Sequence, residues 1–394
     1  MLTRRKYYKC SSRRLISTLK CVLSSRPGLG NRVSGSHFSV VEDIGDVELT
    51  AGEVRCETMY LSVDPYMRCM LDDNHPQLGE YLKPQVLGQA CSGGGVGKVL
   101  ESRNPNFKKD DIIIVPFLGY PWVTQTVIFA DDPRLQVQHC PIDTSPSLFL
   151  GTLGIPGLTS YFCMLHEGKP QKDETVVISG AGGACGIVAA QLAKNKGAKV
   201  IGISGSNEKS DFLENNVGLD KAICYKDPDF QDILTDACRK FGGVDVYMDN
   251  VGGYISEIVL NEINQHARIP ICGQIANYDD NVSYMDMVSN EKGVNGEIRA
   301  LLKEKCARRN RFLVLDYEPL FASATKELAK LVQAGELHVV ETIYNGFNPG
   351  DAFADMMSGG NLGKAIVDVC NESVVANDFK YYKRQSNNKA WVVR

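Results

Sequence analysis

One stretch limits what this chain can fold into more than any other: "TVVISGAGGACGIVAAQLAKNKG", residues 175–197. An apolar, β-branched run stops at Gly180, Gly182, Gly183 and Gly186 and passes straight into an alanine-rich helical run. A strand, glycine turn and helix in this order pack the helix closely on a parallel sheet and aim its N-terminal amides at a phosphate. The spacing is not a strict G-x-G-x-x-G, and no Gly-Lys-Ser/Thr follows. The unit therefore reads as a dinucleotide turn and not as a nucleoside-triphosphate loop.

The end of the next strand, "AKVIGIS", selects the dinucleotide. An acidic residue about 20 residues past the turn would meet a free ribose 2′-hydroxyl. Here the chain runs Ser204, Gly205, Ser206 and Asn207, small neutral residues that leave room for a 2′-phosphate. Lys209, one helical turn on, and Tyr225, after the following strand, are the expected partners of that phosphate. Glu208 opposes them in charge but can point away from Lys209 on a helix. The expected cofactor is NADP(H).

The surrounding pattern gives the domains. From about residue 19 to 148 short β-rich runs are broken by Gly, Pro and Asn, which suggests a compact β-barrel-like domain. From about Gly151 strands alternate with helices, as in a doubly wound parallel sheet. After "KELAKLVQAGELH" the short strands "VVETIYNGF" and "KAIVDV" return to the first domain. The expected division is a basic extension over 1–17, a catalytic domain over 18–147, a Rossmann domain over 148–328, the return over 329–370, and a disordered polar tail over 371–394.

Composition removes several function classes. A net charge of −4 gives no reason to expect a nucleic-acid partner. No apolar run approaches the roughly 20 residues that span a bilayer. The 13 cysteines are scattered with no C-x-x-C pair, which argues against a structural zinc or a disulfide framework and suits a reducing compartment. The first 41 residues lack Asp and Glu but carry Arg4, Arg5, Lys6, Lys9, Arg13 and Arg14 among others. Such a leader has the composition of a mitochondrial transit peptide; an adventitious or disordered basic extension is the alternative. The cytoplasm is the expected compartment, with mitochondria as the alternative.

Seven stretches in order resemble the medium-chain dehydrogenase/reductase superfamily, in its zinc-independent branch of prostaglandin and leukotriene reductases. They are "YLSVDPYMR", "FLGTLGIPGLTSYF", "SGAGGACG", "DVYMDNVGG", "CGQIANY", "RFLVLDY" and "GGNLGKAIV". Within the branch the likeness is strongest to the 15-oxoprostaglandin 13-reductase type. The resemblance implies an α/β chain with a GroES-like β-barrel-type catalytic domain beside the Rossmann domain. It also implies reduction of the α,β-double bond of lipid enones without a metal, in a monomer or homodimer. The catalytic Cys, Gly-His-Glu and four-cysteine lobe of the zinc alcohol dehydrogenases are missing from the sequence.

An enone is already polarised, so hydride can add to its β-carbon while charge moves to the enolate oxygen. The protein must hold the reacting atoms roughly 3–3.5 Å apart and stabilise the enolate with donors already in place. By resemblance, Tyr278 stands beside the nicotinamide ribose and the substrate and stabilises or protonates the enolate. Gly182, Gly183, Ala184 and Cys185 form the pyrophosphate turn. Asn250 and the backbone from Cys272 and Gly273 to Tyr278 meet the cofactor, Phe312, Leu313 and Val314 offer backbone groups to the nicotinamide amide, and Asn361 reaches the nicotinamide half or the phosphates. Cys185 and Cys272 are expected to be small apolar fillers. Tyr66, Phe117, Tyr120 and Trp122, with Leu313, Val314 and Leu315, are the candidate substrate wall. Two other classes stay open on sequence: a quinone or alkenal reductase of the same superfamily, and a non-catalytic NADPH-binding protein that binds RNA through its leader.

Overall fold

The computed structural model describes residues 15–46, 48–76, 78, 82–141, 145–370, 381–385 and 392–393. Its centre is a six-stranded, wholly parallel sheet. The strands lie in the order Lys221–Cys224, Lys199–Ser204, Thr175–Ser179, Val244–Met248, Ile263–Ile271 and Arg308–Arg311. The first strand in sequence lies inside, with the next two on one side and the later three on the other. This is the doubly wound Rossmann order, and its switch point falls between Thr175–Ser179 and Val244–Met248. Helices cover both faces, so the central strands are buried on both sides: Val176, Val177 and Ile178 have no exposed surface. Each such side chain contributes roughly 1.5–3 kcal/mol of burial. On one face Ala189, Ala190 and Ala193 of the helix Ala184–Asn195 are completely buried; their small side chains let the helix lie close to the sheet.

The first domain is a mixed sheet curled around a second core. Glu53–Ser62, Ser92–Ser102 and Ile112–Pro121 pair antiparallel in sequence, and Gln125–Phe129 folds back onto Glu53–Ser62. The chain leaves this sheet for the Rossmann domain and comes back: Val339–Asn345 pairs parallel with Lys364–Asp368, which pairs antiparallel with Glu53–Ser62. A hairpin of Leu15–Leu23 and Phe38–Asp46 docks on the domain through bridges from Lys20 to Val123 and Val22 to Ala90.

Both expected end segments differ in part from the sequence reading. The hairpin strand begins at Leu15, inside the expected 1–17 extension; residues 1–14, most of the basic leader, lie outside the described residues. Within the expected disordered tail, Tyr381–Gln385 forms a strand parallel to Val339–Asn345, and Val392–Val393 pairs with it. The remainder of the tail lies outside the described residues. Among the described residues no helix is long and apolar enough to cross a membrane.

Candidate active site

The glycine turn sits at the carboxyl end of the first Rossmann strand. Gly180 takes φ +63°, a left-handed conformation that a side chain would resist. The turn closes through Gly183 N–H donating to the Gly180 carbonyl (2.9 Å), and Ala181 N–H donates to the Ile203 carbonyl of the neighbouring strand (2.9 Å). Gly186 allows the helix to seat on the turn: a Cβ there would stand 2.4 Å from the Gly180 oxygen and 2.6 Å from the Ala181 Cα. No side chain caps the helix, whose N-cap is Gly183. The amides of Ala184 and Cys185 therefore open outward at the positive end of a twelve-residue helix.

The end of the second Rossmann strand carries small neutral residues with Lys209 and Tyr225 near by. Lys199–Ser204 ends in Ser204 and Gly205 with no carboxylate, and Ser206 caps the helix Asn207–Phe212 by accepting from the Lys209 N–H. Tyr225 N–H donates to the Ser204 carbonyl (3.0 Å), which places the exposed phenol ring over Gly205. Lys209 Nζ donates to the Gly359 carbonyl (2.7 Å), so it joins this corner to the loop carrying Asn361. That loop lies on the glycine turn, where Gly363 N–H donates to the Gly182 carbonyl (2.8 Å), while Asn361 Nδ2 donates to the Gly363 carbonyl. Glu208 is exposed on the first turn of its helix.

At the switch point Asn250 N–H donates to the Ser179 hydroxyl oxygen (2.9 Å), and its Nδ2 donates to the Ser179 carbonyl (2.7 Å). The neighbour that fixes this corner is Asp249, which sequence reasoning passed over. Its buried carboxylate accepts from the Tyr247, Ser179 and Ser256 hydroxyls, the Val251 and Gly252 amides and Gln274 Nε2. Burial and the Asp249 charge push the Tyr247 phenol well above its ordinary range, so it remains a donor. The available signal was an acidic residue closing an apolar strand just before "NVGG".

Tyr278 follows on the next strand's loop. A Cβ at Gly273 would stand 3.5 Å from the Tyr278 hydroxyl and 2.9 Å from the Asn250 carbonyl, so glycine keeps the floor between them open. The Tyr278 ring packs with Tyr66, Leu78 and Leu118 against Cys69, Met70 and Leu82 of the first domain. Tyr66 in turn donates its hydroxyl to the Phe117 carbonyl (3.1 Å), with the two rings 4.8 Å apart. Tyr66 thus joins Tyr278 and Phe117 in one aromatic contact between the two domains.

Tyr120 and Trp122 are not part of that wall. The strand runs from Ile112 to Pro121, and alternation turns Tyr120 inward. Tyr120 has no exposed surface, and its hydroxyl pairs with Thr58 (3.1 Å). Trp122 packs between Phe38 and Phe353 in the same core. Phe312 and Val314 are also core residues, while Leu313 and Leu315 are only half-buried; Phe312 N–H donates to the Ile271 carbonyl (3.0 Å). Cys185 and Cys272 hydrogen-bond to each other, Cys272 also to Cys163. The Cys272 contact and burial hold the Cys185 thiol well above the ordinary range; the Cys163 contact and burial do the same for Cys272, against an opposing effect of Cys185.

Capless helix amides, a carboxylate-free strand end with Lys209 and Tyr225, and Asn250 at the switch point form a donor set that fits a nicotinamide dinucleotide bearing a 2′-phosphate. Among the described residues no three His, Cys, Asp or Glu side chains converge as metal ligands.

Comparisons with known proteins agree with this arrangement. Residues 22–131 match the family model described as the N-terminal domain of oxidoreductase, and residues 184–310 the one described as zinc-binding dehydrogenase. A Bacillus subtilis protein carrying the name NADP-dependent oxidoreductase YfmJ is 41% identical over 84% of this chain and 93% of its own. The bovine prostaglandin reductase 1 is 35% identical over 81% of this chain and 90% of its own. Among solved structures, CurA of Vibrio vulnificus in complex with NADPH superposes with a TM-score of 0.77 at 28% identity, covering 90% of this chain and 100% of that one. The chain belongs to the medium-chain dehydrogenase/reductase superfamily.

Proposed function

We propose that this protein is an NADPH-dependent reductase of the α,β-double bond of enones, with lipid enones of the 15-oxoprostaglandin kind as its preferred substrates. The observation that carries this reading is the position of Tyr278. Its phenol stands at the carboxyl ends of the Rossmann strands and faces an apolar first-domain patch of Cys69, Met70, Leu82 and Tyr66. A relative named NADPH-dependent curcumin reductase, from Escherichia coli, is 31% identical over 89% of this chain, and a tobacco 2-alkenal reductase is 32% identical over 82%. Those names and that of prostaglandin reductase 1 support an enone as substrate class.

The reduced nicotinamide, when bound, supplies the hydride. The residues of this chain do the rest. The amides of Ala184 and Cys185 hold pyrophosphate, and Lys209 and Tyr225 hold the 2′-phosphate. Tyr278 carries a phenolic O–H, which is a hydrogen-bond donor. It can therefore donate to the enone oxygen, where negative charge grows as the double bond is reduced. Tyr66, Leu118 and Leu82 form an apolar surface that excludes water and favours a chain over a small polar substrate. Tyr278→Phe tests the assignment. It is expected to lower kcat on an enone by about 10²-fold while the Kd of NADPH stays within about twofold. Unchanged kcat would remove Tyr278 from its role.

A further inference from the structure

We infer that Asp279, held by the buried Arg68 of the first domain, is the positioning residue that sets the Tyr278 phenol. The inference rests on Tyr278 being the enolate donor. Arg68 belongs to the first domain and is 0% exposed, with every arm of its guanidinium used. Nη1 donates to Asp72 (2.7 Å), Nη2 to the carbonyls of Gly28 (3.0 Å) and Asn31 (3.3 Å), and Nε crosses to Asp279 (2.7 Å). Asp279 lies on the Rossmann loop, one residue beyond Tyr278.

Two further bonds run in the same direction. His75 Nε2–H donates to the Tyr278 carbonyl (2.8 Å), and Gly30 N–H donates to the Asp279 carbonyl (2.5 Å). Burial lowers the pKa of His75 below the ordinary imidazole value, which keeps the ring neutral at physiological pH. The two carbonyls and one carboxylate of residues 278 and 279 are thus all gripped by the first domain. Within its own domain Tyr278 N–H donates to the Ile275 carbonyl over 3.4 Å. The loop that carries the phenol is thus fixed by the first domain as well as by its own.

The charge pattern selects the variant. Loss of Arg68 would strand Asp72, a buried partner, and unfold the corner. Loss of the Asp279 side chain, 34% exposed, leaves Arg68 still paired with Asp72 and two carbonyls, so the fold is retained. Asp279→Asn keeps an oxygen for Arg68 Nε, whereas Asp279→Ala keeps none.

The test joins hydrogen exchange to kinetics on the full chain. With Asp279→Ala, exchange at 273–283 and 28–31 is expected to rise about tenfold while the strand 175–179 is unchanged, and Asp279→Asn stays close to wild type. On an enone, Asp279→Ala is expected to lower kcat about tenfold with the Kd of NADPH within about twofold, because misplacement of a reacting group costs rate more than binding. In a Tyr278→Phe background the same substitution should change kcat by less than about twofold, since its effect passes through the phenol. Unchanged exchange in both segments, or an equal loss of kcat in both backgrounds, would overturn the inference. A wild-type protein that reduces no enone would remove the proposed function, and the exchange measurement would still decide whether Asp279 holds the loop.

Discussion

Gly186→Ala puts the cofactor corner under a load that can be worked out in advance. The new Cβ would stand 2.6 Å from the Ala181 Cα and 2.4 Å from the Gly180 oxygen, both backbone atoms with no freedom to swing away. Carbon–carbon contact is comfortable only from about 3.5 Å, so helix and turn must part by about 1 Å. Overpacking of this kind costs about 1–3 kcal/mol. For a domain of this size that lowers Tm by about 2–12 °C, at roughly 2–4 °C per kcal/mol. The same displacement carries the open amides of Ala184 and Cys185 away from pyrophosphate. A charge-assisted bond contributes about 1.5–3 kcal/mol, so losing even one weakens binding by at least about tenfold. Calorimetric melting and NADP⁺ titration of the variant measure both effects. Gly183→Ala is the control for stability: its Cβ would meet only the Gly180 oxygen, at 3.2 Å, and the loss of Tm should be small. If Gly186→Ala melts and binds like wild type, the close seating of helix on turn is not what forms the phosphate site.

Two other substitutions separate neighbouring claims. Lys209→Ala should weaken NADPH by about 10–150-fold, the worth of one charge-assisted hydrogen bond, and leave NADH unchanged; equal losses on both nucleotides would end its phosphate role. Tyr120→Phe strips the buried Thr58 hydroxyl of its partner and should cost about 1–3 kcal/mol in urea unfolding while enone KM is unchanged. A raised KM at unchanged stability would return Tyr120 to the substrate wall.

What could be read from the sequence follows physical range. The glycine turn and the neutral strand end act through neighbours within a few residues, so spacing alone exposes them; Tyr225 lies over Gly205, and Lys209 lies against Gly182. The inward side of Ile112–Pro121 was hidden because strand alternation past Pro116 cannot be separated from a loop by composition. An aromatic there reads equally well as core or as wall. Asp249 and Arg68 were hidden for another reason. Their partners lie up to 211 positions away, as in the Arg68–Asp279 pair, and a charged residue shows that it is buried only when the fold is assembled around it. Tyr278 was singled out through its motif, yet the bonds on it and on Asp279 come from His75, Gly30 and Arg68, far earlier in the chain.

The central claim is tested most directly by NADPH consumption with a 15-oxoprostaglandin, a short alkenal and a quinone in parallel, with the product's reduced bond identified by mass spectrometry. The account predicts turnover of the prostaglandin enone with loss of its ring-side double bond and retention of its ketone. Turnover of the quinone alone, or binding of NADPH with no turnover of any of the three, would contradict it.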